Sequence, residues 1–189
     1  MILVIDTSSF RSAVGIVESG RGRILEETSQ RPDLARLYRD ELADKHLTKV
    51  AVATGPGSFT GLRVGVSFSL GLAIGLRIPI VPLPTLDLQA ARSDEAVIAV
   101  SEAGRGRVYF QMPGGRPRLG EPTDLPTSHR LVGWVAPRTE AALTATRHAF
   151  RPEDELRNHA EAAARLLETA REVAYGSLEI EYMQSFSAR

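Results

Sequence analysis

The sequence predicts a mixed α/β protein built from two related lobes. This prediction rests on short apolar runs that are typical of buried strands and on intervening segments with helical spacing. It also rests on a second, less regular set of strands and helices in the second half. At 189 residues and 43% apolar content, the chain is long enough to bury a core. We therefore divide it into an N-terminal lobe, residues 1–94, and a C-terminal lobe, residues 95–189.

The N-terminal half has the pattern strand, strand, strand, helix, strand, helix. Its first strands are predicted at "ILVID", "AVGIVES" and "RILEE", with a glycine turn "SGRG" between the last two. A helix from Asp33 to Asp44 has Asp33 at its N-cap, and the strand "KVAVAT" follows it. After a glycine-rich loop, an apolar helix extends from Thr60 to Leu76. The strand "IPIVPL" then leads to the helix "LDLQAAR", which we expect Thr85 to cap.

The C-terminal half begins with a hairpin. Its strands are predicted at "AVIAVS" and "RVYFQM", on either side of the turn "EAGRG". Residues 113–130 are rich in Pro, Gly, Thr and Arg and predict a loop or irregular edge structure. The remaining elements are a strand at "LVGWVA", helices at "TEAALTATRHAF" and "AEAAARLLETAREVA", and a terminal strand at "LEIEYMQSF".

Composition excludes several function classes. Lys+Arg and Asp+Glu both number 23, so no overall charge would attract nucleic acid or a membrane. The chain has no cysteine, and its four histidines lack ligand spacing, so we expect no metal and no cofactor. Its longest charge-free apolar piece, Val64 to Leu76, has 13 residues, fewer than the roughly 20 that a spanning helix needs. We expect a cytoplasmic protein without a signal peptide.

The loop "GPGSFTGLRVGV" does not match a phosphate-transfer motif. A Walker loop requires Lys-Ser/Thr after its last glycine, where this chain has Leu62-Arg63, and Gly61 is one residue late for a dinucleotide fingerprint. Backbone N–H groups at a helix start still favour an anion. The segment "DTSS" supplies a carboxylate and hydroxyls, although a capped turn explains it as well. Candidate anion or nucleotide contacts are Asp6, Thr7, Ser8, Gly55, Gly57 and Ser58.

The apolar helix has small residues on two ridges and large apolar residues on two others, so we expect burial nearly all round. Gly65, Gly71 and Gly75 each cost about 0.8–1 kcal/mol relative to Ala in a helix interior. Close approach of another backbone would explain why glycine is retained there. The helix either packs within its own domain or lies between its own sheet and a partner chain, and composition alone does not decide.

Three segments resemble the TsaB family, formerly called YeaZ. They are "ILVIDTS", the long run "VAVATGPGSFTGLRVGVSFSLGLAIGLRIPIVPLPTLDLQA", and "GRGRVYF". The resemblance implies the sugar kinase/Hsp70/actin-like fold of two lobes. It also implies a non-catalytic subunit of the bacterial machinery that forms N6-threonylcarbamoyladenosine in tRNA.

The resemblance further implies partners and an interface. The catalytic subunit would be a TsaD-like protein, joined by a TsaE-like ATPase, with tRNA contacted indirectly and a homodimer formed by the chain alone. The interface would comprise the first two helices, through Leu34, Leu37, Tyr38, Leu42, Gly61, Val64, Gly65, Phe68, Ser69 and Leu72. Alternative functions are a small ATP-dependent phosphotransferase that uses Asp6 and the loop at Gly55–Gly57, and a self-associating regulatory homodimer.

Overall fold

The fold is built on two mixed β-sheets, one from each half of the chain. The computed structural model describes residues 1–183. The first sheet contains β1 (Ile2–Asp6), β2 (Ser12–Glu18), β3 (Arg21–Thr28), β4 (Lys49–Gly55) and β5 (Ile80–Pro84). The second contains β6 (Ile98–Gly104), β7 (Arg107–Gln111), β8 (Arg118–Gly120) and β9 (Leu131–Val132). The helices are α1 (Leu34–Glu41), α2 (Phe59–Leu76), α3 (Thr85–Ala90), α4 (Pro137–Ala145) and α5 (His159–Leu167).

The two sheets have the same connectivity. Their orders are β3-β2-β1-β4-β5 and β8-β7-β6-β9. In each sheet three strands form an antiparallel meander, and the first strand of the meander pairs in parallel with the next strand of the chain. Only the first sheet adds a fifth, parallel strand. The predicted α/β class with two related lobes is therefore confirmed.

Alternating side chains of the first sheet pack in two separate hydrophobic cores, one on each face. Leu3, Ile5 and Val52 point to the side of α1 and α2, whereas Val4 and Ala51 point to the side of α5. This alternation follows from the two-residue period of a strand, and burial on both faces explains why "ILVID" is apolar throughout. The second sheet is covered by α4 on one face and by α3 on the other.

The end of the described chain returns to the first sheet. Helix α5 packs against β2 and β3, and Val173 pairs with Ile80 at the outer strand β5. Farther along, the backbone N–H of Glu181 donates to the carbonyl of Thr54. The second half of the chain thus contributes a helix and an extended segment to the packing of the first sheet, and the division between residues 94 and 95 stays a prediction.

Several element predictions need correction. Thr85 does not cap α3: its hydroxyl accepts a hydrogen bond from the Gly55 N–H instead. The last helix ends at Leu167, because the chain must leave the helix axis before Val173 reaches β5. The strand at "LVGWVA" has only two residues. The terminal strand is absent from residues 178–183, and residues 184–186 of that prediction lie outside the described residues.

Candidate functional site

The glycines at the start of α2 pack against the chain's own loop after β1. A Cβ added to Gly57 or Gly61 would clash with the carbonyl oxygen of Ser8 or Thr7, and one added to Gly65 would clash with the Thr7 hydroxyl. The Thr7 hydroxyl also donates to the Gly61 carbonyl over 2.7 Å. Close backbone approach therefore occurs at Gly57 and Gly61, within the molecule. Of the three helix glycines from which such an approach was predicted, Gly65 meets the Thr7 side chain, and Gly71 and Gly75 meet no described atom outside the helix backbone within 4 Å.

This packing occupies most of the predicted anion site. The Asp6 carboxylate accepts hydrogen bonds from the N–H of Ser8 (2.9 Å) and from its hydroxyl (2.5 Å), which makes "DTSS" a capped turn. Asp6, Thr7 and Ser8 are buried, and so is Gly55 beside the Glu181 backbone. The Ser58 hydroxyl caps α2 by accepting from the Gly61 N–H. Four of the six predicted anion contacts are therefore inaccessible.

The other two predicted contacts, Gly57 and Ser58, line a cavity of about 380 Å³ between the lobes. Its described lining comprises Ser9, Phe10, Gly57, Ser58, Phe59, Glu102, Ala103, Gly104, Tyr109, Glu181 and Tyr182. Burial, and then the charge of Asp87, raise the pKa of Glu181. The described lining has two carboxyl groups, Glu102 and Glu181, and no lysine, arginine or histidine. Its charge therefore disfavours the binding of a phosphate group.

No group of three or more His, Cys, Asp or Glu within residues 1–183 is arranged to hold a metal ion. Helix α2 is the one described helix that is long and apolar enough to cross a membrane. Length and apolar composition alone do not identify a membrane-spanning helix, because the core helix of a soluble protein can have both.

Helix α2 is buried on one face, so the expectation of burial nearly all round is wrong. The buried residues Leu62, Gly65, Val66, Ser69 and Ala73 face the first sheet. On the opposite side lies what we call the outer face of α2. It comprises the exposed Thr60, Arg63, Ser67, Gly71, Ile74 and Gly75, flanked by the half-buried Val64, Phe68 and Leu72. A Cβ on Gly71 or Gly75 would meet no other part of the described chain within 4 Å.

Half of the predicted interface residues are unavailable to a partner in this conformation. Leu34, Leu37 and Leu42 of the first helix segment are buried in the core beneath it, and Gly65 and Ser69 face the sheet. Gly61 is half-buried against Thr7. Composition could not separate these residues from accessible ones, because every side of α2 is apolar. Tyr38, Val64, Phe68 and Leu72 remain partly accessible.

Tyr182 extends the surface at the start of α2. Sequence reasoning missed this residue, because Tyr182 and Arg63 are 119 residues apart in the chain. The Arg63 Nε donates to the Tyr182 hydroxyl over 3.3 Å, and the guanidinium carbon lies 3.8 Å from the centre of the Phe59 ring. The Phe59 and Tyr182 rings are 5.4 Å apart. Phe59 and Tyr182 line the interlobe cavity. Phe59 and Arg63 line a neighbouring surface pocket at the start of the outer face of α2.

Residues 36–126 match the family model described as TsaD, tRNA N6-adenosine threonylcarbamoyltransferase. Two proteins named tRNA threonylcarbamoyladenosine biosynthesis protein TsaB, from Haemophilus influenzae and Bacillus subtilis, are 31% and 34% identical to the chain over 122 residues. These matches support the TsaB (YeaZ) family for the matched part of the chain. The alignments cover 58% and 57% of the chain and 52% of each relative, so the chain spans about half the length of these TsaB proteins.

Two solved structures share the TsaB-type fold over nearly the whole chain. YeaZ from Pseudomonas aeruginosa superposes with a TM-score of 0.69 at 20% identity, covering 96% of this chain and 99% of that one. An uncharacterised protein with similarity to peptidase YEAZ from the same organism gives 0.72 at 20% identity, covering 97% and 99%. The sugar kinase/Hsp70/actin-like architecture is therefore confirmed.

Proposed function

We propose that this chain is a non-catalytic, TsaB-type subunit in the formation of N6-threonylcarbamoyladenosine in tRNA. It would act by binding a TsaD-like catalytic subunit through the outer face of α2, with Tyr38 of α1 at its margin. The observation that carries the proposal is the pair Gly71 and Gly75, which have open space where a side chain would be. The names of the relatives and the matching family model support the pathway.

The outer face has the composition of a surface that is buried in an assembly. Ile74 on this face is 49% exposed, and Leu76 beside it at the end of the helix is 41% exposed, which is unusual for large aliphatic side chains. Fully burying such a side chain stabilises by roughly 1.5–3 kcal/mol, so covering these half-exposed groups is favourable. Gly71 and Gly75 would let a partner helix approach closely, which offsets their cost of about 0.8–1 kcal/mol each in the isolated chain.

The absence of a catalytic role is supported by the site geometry. Asp6 is buried under its own turn, and the described lining of the interlobe cavity is acidic and aromatic. Neither arrangement suits phosphoryl transfer, which requires cations around the phosphates. We propose further that a TsaE-like ATPase joins the assembly, that tRNA is contacted through the TsaD-like subunit, that the chain self-associates when alone, and that it acts in the cytoplasm.

Capture of the TsaD-like protein of the same genome by purified variants of this chain tests the interface. Gly71→Leu should abolish capture, because its side chain would fill the space left for the partner. The chain should stay folded, because within residues 1–183 no atom outside the helix's own backbone lies within 4 Å of a Cβ at that position. Ala141→Leu, at an exposed position of α4, is the matched control and should bind normally. Equal capture by both variants would refute this face as the interface.

A further inference from the structure

The lobes meet at a cluster of six side chains that we call the interlobe network. It comprises Asp6, Gln89, Arg92, Trp134, Glu153 and His159. They come from β1, from α3 and the residue after its C-cap, from the segment after β9, from the 3-10 turn Glu153–Glu155, and from α5. All except Glu153 are buried. The network thus joins both sheets through a cluster that contains one histidine and two carboxyl groups.

Arg92 fixes the orientation of the Gln89 amide. The Nη1 group of Arg92 donates to Gln89 Oε1 over 3.3 Å, and a guanidinium has donors only. The amide oxygen must therefore face Arg92, which turns the amide nitrogen toward His159. Gln89 Nε2 lies 3.0 Å from His159 Nε2. Since the amide nitrogen donates, His159 Nε2 must accept, so this contact requires a neutral imidazole that carries its proton on Nδ1.

The neutral imidazole also contacts Trp134, which comes from the second half of the chain. Its ring stacks on Trp134 with centroids 3.8 Å apart and planes inclined by 28°. The Trp134 indole N–H donates to Glu153 over 3.2 Å, and Glu153 pairs with Arg92. The guanidinium carbons of Arg92 and Arg11 lie 5.1 and 5.2 Å from the Trp134 ring. Displacement of His159 would remove the stacking partner of Trp134.

We propose that His159 is a proton-controlled latch between the lobes. The neutral ring accepts a hydrogen bond from the Gln89 amide nitrogen and stacks on Trp134. The protonated ring carries a hydrogen on Nε2, so two donors face each other at Gln89, and the ring moves away and loses its stacking on Trp134. The alternative partner of the protonated ring is Asp6 Oδ2, which lies 3.6 Å from His159 Nε2. This carboxylate oxygen has no hydrogen-bond partner in the described structure. Moving toward Asp6 would take the imidazole away from Gln89.

The charged groups around His159 decide when the latch opens. Arg92 and Arg11 oppose protonation, an ionised Asp6 on β1 would favour it, and Glu153 is paired with Arg92. Burial, and then the charges of Arg92 and Arg11, hold the pKa of His159 well below 6.5. Burial also raises the pKa of Asp6, which weakens its pull on the proton. The latch is therefore closed at neutral pH and opens on acidification.

Trp134 is the only tryptophan of the chain, so its fluorescence reports the latch directly. As the pH falls below neutrality, we expect its emission to shift to longer wavelength and acrylamide quenching to increase before far-UV circular dichroism changes. His159→Gln, which keeps an acceptor for Gln89, should abolish this transition. His148→Gln, at a buried histidine bonded to the Leu125 carbonyl, should retain it. A transition that coincides with loss of secondary structure, or that survives in His159→Gln, would overturn the proposal.

Nitrogen NMR of the histidine rings in the unmodified chain tests the same proposal without relying on a variant that folds. At pH 7 we expect His159 to be neutral with its proton on Nδ1. A ring protonated on Nε2 at that pH would contradict the hydrogen-bond assignment from which the latch follows.

Discussion

Individual glycines of α2 have opposite roles, because they lie on different sides of the helix. Gly65 faces the Thr7 side chain at contact distance, whereas Gly71 faces open space. The sequence predicted that these glycines allow another backbone to approach. It could not predict which approach is internal, because that depends on the position of the β1–β2 connection relative to the helix.

This difference predicts opposite effects of alanine on stability. Gly71→Ala should raise the free energy of unfolding by about 0.8–1 kcal/mol, because alanine is the better helix former and gains no clash. Gly65→Ala should lower it by about 1–3 kcal/mol through overpacking against Thr7. Urea denaturation of the two variants measures both changes. Equal shifts in the same direction would contradict the assignment of the two faces.

Burial of His159 also predicts how stability depends on pH. The folded pKa of this histidine lies below the unfolded value near 6.5, so the unfolded chain binds more protons as the pH falls through that region. Its stabilising contribution is therefore complete above about 6.5 and is lost below it. We expect the free energy of unfolding to fall from pH 7 to pH 5, with a shallower slope in His159→Gln than in His148→Gln. Identical slopes would contradict this explanation.

Elements with one clear apolar face were predicted well from the sequence. The N-cap of α1 is Asp33, as predicted, with its carboxylate accepting from the Arg36 N–H. The strands of the first sheet also match: four of them are short apolar runs ended by turn residues, and β3 follows β2 across a glycine turn. Helix α2 was located correctly but its burial was not, since uniform apolarity does not show which face contacts the chain's own sheet. The Asp6–His159 contact was missed because it joins residues far apart in sequence.

The start of α2 provides a test at the scale of one element. Ser58→Ala should lower the free energy of unfolding by about 1 kcal/mol, because the Gly61 N–H loses its side-chain acceptor. Ser58→Asn should retain most of that stability, since asparagine is an equally good N-cap. Thermal unfolding of the pair provides the measurement. A loss of equal size in both variants would show that the cap is not the cause.

At the scale of the whole molecule, the two lobes enclose a cavity that does not suit ATP. The described lining carries Glu102 and Glu181 but no basic side chain, and Asp6 is shielded by Ser8. We expect titration calorimetry of the isolated chain with millimolar Mg·ATP to give no binding signal. Saturable binding that is lost on mutation of Gly57 would instead support the phosphotransferase alternative.

Formation of a complex with the TsaD-like protein of the same genome tests the central proposal most directly. Light scattering should give the mass of one complex containing both chains when the purified proteins are mixed. The outer face of α2, including Gly71 and Gly75, should then become protected from amide exchange in the complex. Two unassociated species at micromolar concentrations, or a complex in which α2 exchanges as in the free chain, would contradict it.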